Sequence, residues 1–196
     1  MSLSNLQRQV LLGTLLGDAH LERNGRFVRL KIDHSIKQQD YVWWKYDILK
    51  NIVPKPPVII DVYDQRTKKV YQHCRFATKT LQALEEFYDL FYLNKKKILP
   101  LNIKQLLVSP LSLAVWYMDD GACRTDCNAL RLHTNSFDLS EQKVLQQVFL
   151  ENFNIKTNIH KAGGNTYVLY VPSKQAKIFC NLVSSFMLPS MKGKLL

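Results

Sequence analysis

Leu6, Val10, Leu11 and Leu15 recur at helical spacing and predict a helix over residues 6–16, capped by Ser4 and ending at Asp18. The period then changes to two: over residues 27–34, Val28, Leu30 and Ile32 share one face while Arg29, Lys31 and Asp33 share the other, as in a half-exposed strand. A second helix over residues 41–52 carries Trp43, Trp44 and Tyr46 and is stopped by Pro54, Pro56 and Pro57. Strands over residues 58–63 and 70–77 follow, joined by the polar turn 64–69, and a helix over residues 79–92 closes the first half.

The second half repeats this order. A helix spans residues 109–118 and a strand residues 129–134, with Arg131 and His133 turned away from Leu130 and Leu132. Ser140 caps a helix reaching residue 152, strands over residues 155–161 and 166–171 form a hairpin around Gly163 and Gly164, and residues 173–187 are helical. The two apolar helices of residues 11–19 and 113–121 each run into an acid followed by a small residue, and Asp18 and Asp120 stand 102 positions apart. Arg29-Leu30-Lys31 and Arg131-Leu132-His133 keep the same offset, so one duplicated unit fits the chain. The boundaries follow as residues 1–94, a Lys-rich and Pro-containing linker at 95–108, and residues 109–196.

The 196 residues are 46% hydrophobic, enough for a real core, and carry a net charge of +11, enough to attract a polyanion. Nucleic acid is the leading partner; no apolar run reaches the roughly 20 residues of a membrane span, so no membrane partner is expected. Four scattered cysteines do not make a disulfide framework and favour a reducing compartment; Cys123 and Cys127 lack a second Cys/His pair for a metal site. The N-terminal residues lack the character of a secretory signal or a transit peptide.

Two equivalent acids, brought together where two helices pack, suit hard divalent cations bound through oxygen. Gly13 and Gly17 supply small residues for such packing, whereas Val115 and Asp119 stand at the matching places of the second helix and put a symmetric contact in doubt. Alternate strand positions mix charge with hydrogen-bonding capacity: Arg29, Lys31 and Asp33; Asp61 and Tyr63; Tyr71, His73 and Arg75; Arg131 and His133; Lys156, Asn158 and His160. Such a face can read base edges in the major groove, while Arg66, Lys68, Lys69 and Lys161 add contacts to the DNA backbone. The bland alternative is a solvated sheet face.

The segments Leu11-Leu12-Gly13-Thr14-Leu15-Leu16-Gly17-Asp18-Ala19 and Leu113-Ala114-Val115-Trp116-Tyr117-Met118-Asp119-Asp120-Gly121 resemble the signature of the LAGLIDADG homing endonucleases, in their single-chain, two-motif, intron-encoded form. The resemblance implies an α+β fold of two αββαββα halves related by a pseudo-two-fold, with curved antiparallel sheets that bind DNA. It makes Asp18 and Asp120 the catalytic metal ligands, and brings the backbone carbonyls of Gly17 and Asp119 near the metal. Lys97 and Lys194 resemble the family's basic residues beside the acids, and Lys31 and His133 align with a polar pair that positions water or phosphate, where relatives often carry Gln or Asn. The implied activity is Mg²⁺-dependent hydrolysis of double-stranded DNA, with Mn²⁺ as a substitute. A monomer with unlike halves implies a long, non-palindromic site and intron mobility. The compartment would be a mitochondrion or plastid if organelle-encoded, otherwise a prokaryotic cytoplasm. Alternatives are an intron RNA maturase, a non-cleaving DNA-binding regulator of the same fold, and a non-specific basic binder.

Overall fold

The computed structural model describes residues 2–196. Contacts gather them into two compact units, one holding the N-terminal residues up to Arg8 with Asp18–Asp89, the other Gln9–Gly17 with Leu90–Leu196. Helix α1 (Asn5–Leu16) contributes to both. Its start is fixed as the sequence predicts. Ser4 Oγ accepts from the Gln7 amide at 3.2 Å and Gln7 Oε1 accepts from the Ser4 amide at 3.0 Å, satisfying two donors reciprocally.

In the first unit, β1 (His20–Asn24) and β2 (Phe27–Ser35) form a tight hairpin through Gly25, whose φ of +65° a side chain would disfavour. Helix α2 (Gln39–Leu49) follows, then β3 (Val58–Asp64), β4 (Lys69–Ala77) and α3 (Glu85–Phe91). The antiparallel sheet has the order β1-β2-β4-β3. Val28, Leu30 and Ile32 on β2 and Phe76 on β4 are buried, as are Tyr41, Val42 and Leu49 of α2. The chain after β4 stays extended rather than helical from residue 79. The amides of Thr78 and Leu81 donate to Leu30 and Val28 of β2 and that of Lys79 to Ile52, which lays this segment out along β2 before α3 begins.

In the second unit a two-strand hairpin, β5 (Tyr92–Leu93) and β6 (Lys96–Lys97), turns through Asn94 and Lys95, both at positive φ as a primed turn requires. Short α4 (Ile103–Leu106) leads to α5 (Pro110–Asp120), where Ser109 accepts from the Leu111 amide and Pro110 stands in the first turn. The residues expected as a linker therefore carry secondary structure. Next come β7 (Gly121–Cys123), β8 (Leu130–Leu132), α6 (Leu139–Phe153), β9 (Asn158–Gly163), β10 (Thr166–Val171) and α7 (Ser173–Val183). The sheet order β7-β8-β10-β9 repeats the connectivity of the first sheet, so the duplication inferred from the offset of the acids is present in the topology.

Two local expectations change. The cap of α6 is Asp138, not Ser140: Asp138 accepts from the Glu141 amide while Glu141 accepts from the Asp138 amide, and Ser140 Oγ only donates to the Asp138 carboxylate at 2.6 Å. Strand β9 begins at Asn158, which leaves Lys156 before the sheet, its amide bonded to Gln175 of α7 at 3.1 Å. The core gathers around Phe149, which meets Trp116 of α5 edge-on at 6.0 Å and stacks on Phe179 of α7 at 6.4 Å. Strands β1 and β7 had no period-2 signal because they are short and mostly polar or small.

Candidate active site and nucleic-acid interface

Within the second unit, the end of α1 and Gly17 after it pack against α5, and the unlike residues found there complement each other. A Cβ placed on Gly13 would lie 2.4 Å from the Ser112 carbonyl oxygen and 2.7 Å from Val115 Cβ. On Gly17 it would lie 2.5 Å from Asp119 Cβ. Each glycine thus accepts the larger residue at the corresponding place of the other helix, which resolves the mismatch read in the sequence. Asp119 is buried and accepts a hydrogen bond from Thr14 Oγ1 at 3.0 Å, so its carboxylate serves the helix contact. Gly121 is required by close approach too, since a Cβ there would sit 2.2 Å from the Tyr117 ring.

The expected lysines meet the ends of these helices. Hairpin β5–β6 carries Lys97, whose Nζ donates to the Gly17 carbonyl at 2.7 Å. Lys194, at the end of a 3₁₀ segment (Pro189–Lys194), donates to the carbonyls of Met118 at 2.5 Å and Asp119 at 3.2 Å. Its own carbonyl accepts from the buried Tyr117 hydroxyl at 2.6 Å, anchoring it from the other side. Gly17 and Asp119 are the residues that precede Asp18 and Asp120. Each motif thus has an ammonium on the carbonyl just before its acid, where unpaired helix carbonyls and the negative end of the helix dipole favour a cation.

The acids themselves differ. Asp120 is half-buried; its Oδ2 accepts from Trp116 Nε1 at 3.3 Å and its carbonyl accepts from the His133 amide at 3.0 Å. Asp18, in the first unit, is exposed, with His34 Nδ1 3.5 Å from its Oδ2. His34 Nε2 in turn lies 3.1 Å from Lys45 Nζ, and Lys45 is fully buried with its ammonium 4.0 Å from the centre of the Tyr41 ring. His34 therefore bridges the Asp18 carboxylate and the buried Lys45 amine. Neither His34 nor Lys45 was singled out from sequence. The signal was present: His34 continues the buried alternation of Val28, Leu30 and Ile32, and Lys45 lies four positions after the buried Tyr41.

Strand pairing sorts the expected DNA-facing residues. In the first sheet Lys31 stands opposite Ala77, Asp33 opposite Arg75, and Val58, Ile60 and Val62 opposite Arg75, His73 and Tyr71. Arg29, Lys31, Asp33, Tyr71, His73 and Arg75 therefore share one face, and His73 Nδ1 lies 2.7 Å from the Asp33 carboxylate. Asp61 and Tyr63 do not join them. Asp61 pairs with Gln72 and Tyr63 with Val70, which turns both to the opposite face; the sequence grouping failed because it lacked the register. Glu22, opposite Arg29, was also missed: it ion-pairs with Arg29 and, at 2.8 Å, with Lys31. Lys31 and Arg29 hold its carboxyl below the usual range. Beside these residues a groove of about 460 Å³ is lined by Arg29, Lys31, Lys55 and Arg75. In the turn after β3, Arg66 is exposed with its amide on Asp64 at 2.8 Å, Lys68 takes a positive φ of 54°, and Lys69 opens β4 across from Asp64.

In the second sheet Arg131 lies opposite Ala122 and Tyr170, Asn158 opposite Tyr170, and His160 stacks on Tyr170 at 4.3 Å, so Arg131, Asn158 and His160 share a face. Lys161 is exposed at the end of that hairpin. His133 follows the strand and is exposed; partial burial, then Arg131 and Lys194, push its imidazole below its ordinary value toward the neutral form. Among the described residues no helix is long and apolar enough to cross a membrane.

The model of the LAGLIDADG DNA endonuclease family matches residues 8–179. The cytochrome b mRNA maturase bI2 of Debaryomyces hansenii is 32% identical, over 95% of this chain and 72% of its own length. The DNA endonuclease I-ChuI of Chlamydomonas applanata is 30% identical, over 99% of this chain and 96% of its own. The homing endonuclease I-WcaI bound to its DNA recognition sequence superposes with a TM-score of 0.91 at 28% identity, covering 100% of this chain and 88% of that one.

Proposed function

From the premise that this chain belongs to the LAGLIDADG DNA endonuclease family, a class of metal-dependent DNA-cleaving homing endonucleases, we propose that it cuts a long, non-palindromic DNA site as a monomer, with Asp18 and Asp120 as its metal ligands. One observation carries this reading to residues. Lys97 and Lys194 meet the carbonyls of Gly17 and Asp119, two positions 102 apart, each immediately before a candidate acid. The recurrence of an acid, its preceding carbonyl and a lysine in both halves supports a duplicated reaction centre.

The carboxylates of Asp18 and Asp120 are hard oxygen donors, which suits Mg²⁺ and equally Mn²⁺, whereas the carbonyls of Gly17 and Asp119 already accept from the Lys97 and Lys194 ammoniums, which oppose a cation on the same oxygens. Such cations, when bound, activate water and stabilise the leaving oxygen of a phosphodiester. The chain's own groups do the rest. Trp116 orients the Asp120 carboxylate, and His34, itself anchored on Lys45, orients that of Asp18. Lys97 and Lys194 place positive charge where the phosphate develops negative charge. Lys31 and His133 contact water or phosphate, and His133, kept toward neutrality, can accept a proton.

Selection of cleaved duplexes from a random library in Mg²⁺ supplies the target. The Asp18→Asn and Asp120→Asn chains are then expected to bind that target and leave it intact; cleavage that survives both substitutions removes the assignment. A second reading, splicing of an intron RNA, is favoured by the similarity to a cytochrome b mRNA maturase. It predicts that the chain accelerates splicing of its host intron, including when both acids are replaced. The intron-encoded relatives together favour an organelle, mitochondrion or plastid, as the compartment.

A further inference from the structure

The arginines at equivalent positions of the two sheets are not equally engaged. On β2, Arg29 stands directly opposite Glu22 of β1, and that single carboxylate uses one oxygen for the Arg29 guanidinium and the other for Lys31 at 2.8 Å. The fork that Arg29 turns to Glu22, through Nε and Nη2, is the one that would otherwise receive two oxygens of a phosphate. On β8 the equivalent Arg131 stands opposite Ala122 instead. Its Nε is buried without a hydrogen-bond partner among the described residues. The nearest sequence counterpart of Glu22, 102 positions on, is Arg124, whose guanidinium is engaged by Asp126.

We propose that Glu22 is a built-in phosphate surrogate that withholds Arg29 and Lys31 from non-specific DNA, making it a specificity-determining residue of the first sheet that has no equivalent in the second. Any duplex offers phosphates, so a chain with +11 net charge binds every sequence to some degree. A carboxylate already seated between two cations must be displaced before a phosphate can enter, and only a duplex whose base edges add further contacts repays that displacement. Arg131 faces Ala122 and so has no carboxylate to displace across its strand pair. The inference rests on the DNA-binding reading above.

The test measures affinity for a 30-base-pair duplex of random sequence in EDTA, across a salt series, for wild type, Glu22→Gln, Ala122→Glu and Glu151→Gln. Glu151 pairs with Lys104 in the second unit and controls for the loss of one acid elsewhere. Glu22→Gln is expected to bind about tenfold more tightly near 0.1 M salt and to steepen the log–log salt slope by about 1–2, the signature of one or two added phosphate contacts. Ala122→Glu is expected to weaken binding and flatten the slope. A Glu22→Gln shift no larger than that of Glu151→Gln overturns the proposal, as does a Glu22→Gln chain whose random-duplex affinity falls. If the wild type binds no duplex at all, it is the DNA-binding reading that fails. Retained circular dichroism and melting temperature in each variant establish that the comparison is between folded chains.

Discussion

At the residue scale the site is a set of charges placed on backbone ends, and this makes its groups separable by substitution. Lys194 is held by two carbonyls and by Tyr117, so Lys194→Met should leave the fold largely intact while lowering cleavage about a hundredfold, measured as single-turnover rate on the selected target. His133 gives a pH signature. Its pKa is depressed below the ordinary 6.5, so just below pH 6.5 the unfolded chain binds more protons than the folded one and stability rises with pH through that window. Below the folded pKa the penalty is complete. His133→Gln should remove this slope from denaturant midpoints measured between pH 5 and 7.5. Asp18, Asp120, Lys97 and Lys194 stood out in the sequence because the repeat and the motif mark them. Glu22, His34 and Lys45 did not, since each acts through a neighbour that only strand register or helix packing brings to it. Asp61 and Tyr63 fail for the same reason: alternation identifies a strand's two faces but not which of them adjoins a neighbouring strand's charged face.

At the scale of elements, the packing of α1 residues on α5 sets how closely the lysine-bound carbonyls approach. An alanine at Gly13 would press on a backbone oxygen that cannot move without its helix, whereas one at Gly17 presses on Asp119, a side chain that can turn away by giving up Thr14. Both substitutions are expected to destabilise by about 1–3 kcal/mol, or roughly 2–4 °C in melting temperature per kcal/mol, with Gly13→Ala the worse. Negligible losses would mean that the helices separate without cost, and equal losses that the backbone contact at Gly13 is no stiffer than the side-chain contact at Gly17. The cap of α6 offers a second comparison. Asp138→Ala should cost about 1 kcal/mol and Ser140→Ala close to none, because only Asp138 meets the Glu141 amide. The element order was readable because apolar periodicity survives in every long helix and central strand. The ends were less so: the expected helix from residue 79 yields to backbone bonds with β2, and the expected linker folds as a hairpin and a short helix because Asn94 and Lys95 accept a primed turn.

At the scale of the whole molecule, binding and cleavage draw on different residues and should come apart under metal removal. Binding follows the excess of 27 Lys and Arg over 16 Asp and Glu, displayed in part by two sheets of equal connectivity. A protein that neutralises roughly six to ten phosphates shows a log–log salt slope near −5 to −9, and EDTA should leave such a slope in place while abolishing the cut. The candidate metal ligands then change sign in their effect. On the proposed assignment, Asp18 and Asp120 without cations are negative charges directed at a negative backbone, and each opposes the complex. At about 6 Å in water one such repulsion amounts to roughly threefold in affinity. Asp18→Asn and Asp120→Asn should therefore bind the target about threefold more tightly than wild type in EDTA, by fluorescence anisotropy, with the advantage reduced or reversed when Ca²⁺ is added. If either variant binds no better in EDTA and Ca²⁺ makes no difference to the comparison, that acid does not face the phosphate and is not a metal ligand.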